Sequence, residues 1–174
     1  FCDILRLSKK LGMRTSIGTI GTMLSRPGFA ETVLPFLDEA LFSLHGPDAA
    51  THDALAQREG SFARVTEAIR RCVLIKPGFG AFINTVLTRD NAEKLPQTIA
   101  LADALGAARV DVVALVDGGV DGHAHAAQRG EASRLLRVDV ARGAVEEGRV
   151  GERDHRIDRH RRHAHERARE VAAP

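Results

Sequence analysis

Tryptophan and tyrosine are absent from the 174 residues, and methionine and cysteine occur only twice each. Two cysteines, Cys2 and Cys72, cannot build a disulfide framework, and they lack the spacing of a cysteine-based metal or cluster site. That usage points to a reducing compartment, the cytoplasm. Neither sign of charge dominates: 25 Lys and Arg face 23 Asp and Glu, which favours neither nucleic acid nor a membrane as partner. No apolar run approaches the roughly 20 residues that a membrane-spanning helix needs. The chain opens Phe1-Cys2-Asp3 without methionine, basic leader or cleavage site, and so reads as an internal piece of something longer.

The scarcities are unevenly spread, with a break near Val116. Residues 1–116 hold all seven Phe, every Lys, both Met and both Cys, whereas 117–174 hold none of these and six of the eight His. A segment so poor in large apolar side chains cannot offset the entropy of ordering a core. Residues 1–116 are therefore expected to fold, and 117–174 to form an Arg/Ala/His/Gly tail of doubtful fold. An out-of-frame reading of GC-rich DNA produces this kind of composition. Any order in the tail is expected to be helical, since Ala, Arg and Glu are good helix formers. His123 and His125, like His163 and His165, are spaced by two, which does not set two ligands on one helix face, so no metal site is expected. Interleaved acids and the lack of aromatics also disfavour an Arg-rich nucleic-acid-binding module.

Within 1–116 the pattern alternates. Ile4, Leu5, Leu7 and Leu11 recur at near-helical spacing before Gly12, and 13–19 reads as a short strand. Phe29 to Leu37 suits a helix made irregular by Pro35, and Glu39 to Leu44 a buried strand ending at His45-Gly46-Pro47. Gly60-Ser61 is expected to cap a helix with apolar positions at 62, 65, 69 and 73. Phe79 to Leu87 is a nearly continuous apolar strand, as suits a sheet covered on both faces. A helix through Leu95, Ile99, Leu101 and Leu105 stops at Gly106, and Val110 to Val116 supplies another strand. Strict alternation of this kind predicts βαβ units in a parallel α/β sheet of about four strands, too few to close an eight-stranded barrel.

Ligands of such sheets sit beyond the carboxyl ends of the strands. Those ends carry Thr19-Ile20-Gly21-Thr22, Ser43-Leu44-His45-Gly46, Asn84-Thr85 and Asp117-Gly118-Gly119. Turn chemistry alone accounts for such residue types, and a shared cleft is the alternative. A different α/β-barrel enzyme, using Gly18 and Gly21 to bind a phosphorylated metabolite, also fits, although no Gly-rich loop leads into a helix with a following Lys-Ser/Thr.

In order along the chain, Thr19-Ile20-Gly21-Thr22, Leu41 to Pro47 with His52-Asp53, Gly60-Ser61-Phe62, and Ile83 to Thr88 followed by Asn91 resemble successive landmarks of the radical S-adenosylmethionine (SAM) enzymes. The resemblance spans roughly 1–116. It implies a partial (β/α) barrel of the radical SAM type that binds SAM across its strand ends. It also implies a 4Fe-4S cluster that cleaves SAM reductively, so that a hydrogen atom is taken from a small-molecule or peptide substrate. Thr19, Gly21, Ser43, His45 and Asn84 match the positions expected to bind the cofactor. Ser43 and His45 would lie near SAM or substrate, and Asn84 would hydrogen-bond the ribose or carboxylate of SAM. The family's Cys-x3-Cys-x2-Cys loop and its Gly-Gly-Glu-Pro segment are missing here, and Ile20 stands where Asn is usual. The resemblance thus implies an internal fragment that cannot ligate the cluster by itself, with no metal ligand of its own.

Overall fold

The computed structural model describes residues 1–115, 133–140 and 144–149. Helix α1 (Cys2–Lys10) begins beside Asp3 and ends with Lys9 and Lys10, charges that complement its dipole at both ends. After Gly12, whose φ is +72°, strand β1 (Ser16–Thr19) enters the sheet. Helix α2 (Phe29–Val33) tightens into a 3-10 turn over Leu34–Phe36, because Pro35 cannot donate a regular helical hydrogen bond. Strand β2 (Glu39–Ser43), helix α3 (Ala49–Ala56), helix α4 (Ser61–Ile75) and strand β3 (Gly80–Leu87) follow. A 3-10 turn at Ala92–Lys94, helix α5 (Leu95–Ala104) and strand β4 (Arg109–Leu115) complete the alternation.

Strands β1 to β4 lie side by side in chain order and all pair in parallel, so the sheet is an open, partial barrel layer. Two further strands, β5 (Ser133–Asp139) and β6 (Ala144–Arg149), extend it by antiparallel pairing. Both lie in the segment whose composition argues against a core, and neither is helical. Regional composition hides a local pattern here: Leu135-Leu136-Arg137-Val138 is short, apolar and β-branched enough to pair with β4, and Val138 is buried beside Val110. The remainder of 117–174, including His123, His125, His163, His165 and the Asp117-Gly118-Gly119 strand end, lies outside the described residues. Among the described residues no helix is long and apolar enough to cross a membrane.

Residues in register across neighbouring strands share a face. One face is sealed: Ala40, Phe42, Leu44, Ala81, Ile83, Val110 and Val112 are buried, under Val65, Ala68, Ile69 and Cys72 of α4 and Ala102 of α5. The alternate positions of β2 and β3 are only half-buried and form the open face.

Candidate functional site

The carboxyl ends of β2 and β3 are joined by a chain of polar contacts that carries the pairing past the last ladder bond. Leu44 N–H donates to the Asn84 carbonyl at 3.1 Å, and Thr85 Oγ1 donates to the Leu44 carbonyl at 2.6 Å. One residue on, Val86 N–H donates to His45 Nδ1 at 3.3 Å, so an imidazole replaces the next backbone acceptor. Asn91, buried at the following turn, donates from Nδ2 to both the His45 and Val86 carbonyls at 2.8 Å. Its Oδ1 accepts from Thr88 N–H at 2.7 Å, so the whole amide is satisfied, as a buried amide must be.

His52 and Asp53 anchor this rim from behind. His52 is 1% exposed; its Nδ1 accepts from His45 N–H at 3.0 Å, which puts the ring proton on Nε2, 3.3 Å from Ser61 Oγ. Burial pushes the His52 pKa below its ordinary value, against the weaker pull of the neighbouring Asp53 carboxylate, so the ring is neutral. The two imidazoles stack with centroids 5.6 Å apart. Asp53 accepts from Gly60 N–H and Phe62 N–H, each at 2.7 Å, and these bonds, Phe62's foremost, hold its carboxyl below the usual range. The helix starts where Gly60-Ser61 is expected to cap it, with Gly60 at the N-cap, but the capping side chain comes from elsewhere. Gly60 has no side chain to cap with, Ser61 turns to His52, and Asp53 from the preceding helix satisfies the orphan N–H groups of α4.

Ser43, Asn84 and Asp111 stand in register on the open face, one per strand, about 5 Å apart at each step. The side chains of Ser43 and Asn84 are half-buried and make no hydrogen bond among the described residues. Asp111 is 7% exposed, and Arg109 grips both of its oxygens, Nε to Oδ1 at 2.8 Å and Nη2 to Oδ2 at 2.9 Å. Arg137 of β5, in register with Asp111, brings Nε to 3.6 Å from Oδ1. The Arg109 guanidinium carbon also lies 4.3 Å from the Phe82 ring centroid, so stacking and a two-pronged bond fix it together.

Among the five expected cofactor contacts, the structure brings Ser43 and Asn84 together and seats His45 directly beyond them. It does not bring Thr19 to them. Thr19 is in register with Phe42, which puts it on the helix-covered face, and its Oγ1 accepts from Gly21 N–H at 3.0 Å in a local turn. Thr19 thus stands apart from the pair that Ser43 and Asn84 form. Gly21, at φ +82°, lies against α4: a Cβ there would meet Val65 Cα at 2.9 Å and Ala68 Cβ at 3.0 Å. Close approach of α4 alone therefore demands a glycine at this position. Asp111 and Arg109 went unread in the sequence. The alternation Arg109-Val110-Asp111-Val112, with charges inside a strand at period two, is the signal that could have found them.

A 4Fe-4S cluster needs converging thiolates. The chain's two cysteines are far apart in sequence, and no group of three or more metal-ligating side chains gathers among the described residues. Burial pushes the Cys72 thiol up to about 12, so it is held as an inert thiol. These residues do not fit a cluster. The open row of hydroxyl and carboxamide does fit a polar organic ligand such as SAM.

No family model matches the chain. Among curated proteins, it is 32% identical over 117 residues to an AdoMet-dependent heme synthase of Methanosarcina barkeri, covering 67% of this chain and 33% of that protein. It is 31% identical over 110 residues to a PqqA peptide cyclase of Methylocella silvestris, covering 63% and 29%. The solved structure of TYW1 with a lysine-pyruvate adduct bound superposes with a TM-score of 0.50 at 12% identity, over 67% of this chain and 37% of that one, and shares the fold. The chain spans about a third of the length of the curated relatives it matches.

Proposed function

The chain belongs to the radical SAM enzymes, and from that premise we propose that its open sheet face supplies part of the SAM-binding cleft of a longer enzyme, with Ser43 and Asn84 as polar contacts. The observation that carries this reading is the register of those two side chains, half-buried and without a partner among the described residues, beside the rim built by His45 and Asn91. The hydroxyl and carboxamide are not among the buried unpartnered polar atoms, so they reach solvent and can exchange water for a ligand able to both donate and accept. The ribose hydroxyls and the methionyl carboxylate of SAM offer such groups. Bound SAM, together with a cluster, supplies one-electron chemistry that takes a hydrogen atom from a small-molecule or peptide substrate. The cluster thiolates are not among this chain's residues, so the chain by itself is inactive and its part is to hold and orient. His45, His52 and Asn91 keep the rim rigid, and Phe82 and Leu41 line the same face one step below. Two free cysteines suit a cytoplasmic setting.

S-adenosylhomocysteine, which cannot react, is the probe. Calorimetric titration of the full chain should show binding that Ser43→Ala and Asn84→Ala each weaken by about tenfold, without a change in melting temperature. No binding, or binding indifferent to both substitutions, overturns the reading.

A further inference from the structure

The row that carries Ser43 and Asn84 does not end with them. It runs on to Asp111, a nearly buried acid to which the reading above gives no task. The row also descends as it crosses the sheet. Ser43 is the last residue of β2, whereas Asp111 is followed by four more residues of β4, about 13 Å of strand. A ligand held at the rim by Ser43 reaches Asn84 with one end and leaves the Asp111 position to a second molecule.

We propose that Asp111, pinned by Arg109, is the substrate-orienting group of the cleft, and that it selects a substrate presenting an amine or hydroxyl. This rests on the SAM reading in one respect only, that SAM occupies Ser43 and Asn84. Three features support the choice of ligand. Arg109 takes one lone pair from each Asp111 oxygen, and a carboxylate has about four acceptor sites, so capacity remains for a donor from the ligand. The acceptor is rigid, because the guanidinium that holds it is itself stacked on Phe82. The neighbourhood is balanced and does not favour an anion: Arg109 and Arg137, the latter 3.6 Å from Asp111 Oδ1, stand against Asp111 and Asp139, and Asp139 of β5 is in register with Arg109. A carboxylate with its cation already paired recognises hydrogen-bond donors.

The experiment uses the full chain with its aspartates labelled at the carboxyl carbon with carbon-13, and the Asp111 resonance identified by sequential assignment from the backbone of the unsubstituted chain and by its loss in Asp111→Asn. Ethanolamine, which carries both an amine and a hydroxyl, is titrated against acetate, which carries neither. Ethanolamine should move the Asp111 resonance saturably and acetate should not. Asp111→Asn should weaken ethanolamine binding by about tenfold while leaving S-adenosylhomocysteine affinity unchanged. A resonance that ethanolamine leaves in place shows a purely structural ion pair and overturns the proposal. So does an Asp111→Asn variant that loses S-adenosylhomocysteine as Asn84→Ala does. The titration of the unsubstituted chain stands even where the variant misfolds. Should S-adenosylhomocysteine fail to bind while ethanolamine still moves Asp111, the SAM assignment falls and the donor-binding role survives.

Discussion

Asp53 holds the first turn of α4 from outside that helix: its two oxygens accept from Gly60 N–H and Phe62 N–H, each at 2.7 Å. The contact links two successive helices and, through the adjacent His52, the end of β2. Replacing Asp53 by Ala leaves two helix-terminal donors without their acceptor, and the melting temperature should fall, whereas Asp53→Asn should retain part of the stability through its carbonyl oxygen. The Asp53 carboxyl sits below its ordinary value, chiefly through the Phe62 bond, so the folded state binds its proton less readily than the unfolded chain does. Its contribution is complete above the ordinary aspartate pKa and disappears as the pH falls through the folded value. Thermal melts between neutral and strongly acid pH should show a smaller loss in Asp53→Ala than in the parent chain, the remainder belonging to Glu31, Asp38 and Asp48, whose carboxyls are also held low.

His52 carries the opposite chemistry with the same sign of pH dependence. Burial lowers its pKa, so below the ordinary histidine value of 6.5 the unfolded chain takes up a proton that the folded chain refuses. Stability is indifferent to this group above 6.5 and declines as the pH drops from there towards the folded value. His52→Ala should cost about 2–4 kcal/mol in urea unfolding, because it opens a cavity and removes the acceptor of His45 N–H. The slope of stability between neutral and mildly acid pH should flatten in that variant. An unchanged slope assigns the titration to another group.

How much of this was readable depends on which physical signal each residue leaves. β3 was plain, since Gly80 to Leu87 is apolar almost throughout and a doubly covered strand needs nothing else. α3 was not read at all: Ala49–Ala56 is short and weakly amphipathic, and its best signal was the cap, Asp48 accepting from Thr51 N–H at 2.8 Å. The facing of Thr19 was beyond reach, because a shift of one residue in register flips a side chain to the other face and no turn pins β1 to β2. The same limit hid the meeting of Ser43 and Asn84 with Asp111, which follows from strand order and stagger together. β5 and β6 were masked by averaging over a region whose arginines outnumber its large apolar residues.

Gly21 separates a ligand-facing role from a packing one. Gly21→Ala forces a Cβ against the α4 backbone at 2.9 Å, at a φ that L side chains rarely adopt. Both faults act on the folded state, and the substitution should destabilise the chain by about 2–4 kcal/mol. Gly28 also has positive φ but no atom within 4 Å of its would-be Cβ. Gly28→Ala should therefore lose only the backbone part, about 1 kcal/mol. Comparable losses at both positions, measured by denaturant unfolding, exclude close helix approach as the reason for Gly21.

The cysteines give the sharpest chemical prediction. Cys72 lies fully buried on α4 among Val65, Ala68 and Ile69, and burial pushes its thiol up to about 12. Thiolate, not thiol, is both the nucleophile and the iron ligand. At pH 8 iodoacetamide should therefore modify Cys2, which is only half-buried, and leave Cys72 untouched until denaturant is added. Mass spectrometry of the two peptides reads this directly. Anaerobic incubation with ferrous iron and sulfide should likewise produce no visible charge-transfer absorption. A cluster needs thiolates converging from one short loop, whereas one of this chain's two is sealed beneath the sheet. A stoichiometric chromophore would show that the helix opens enough to expose Cys72, and that the chain assembles a cluster by a route its folded geometry does not offer.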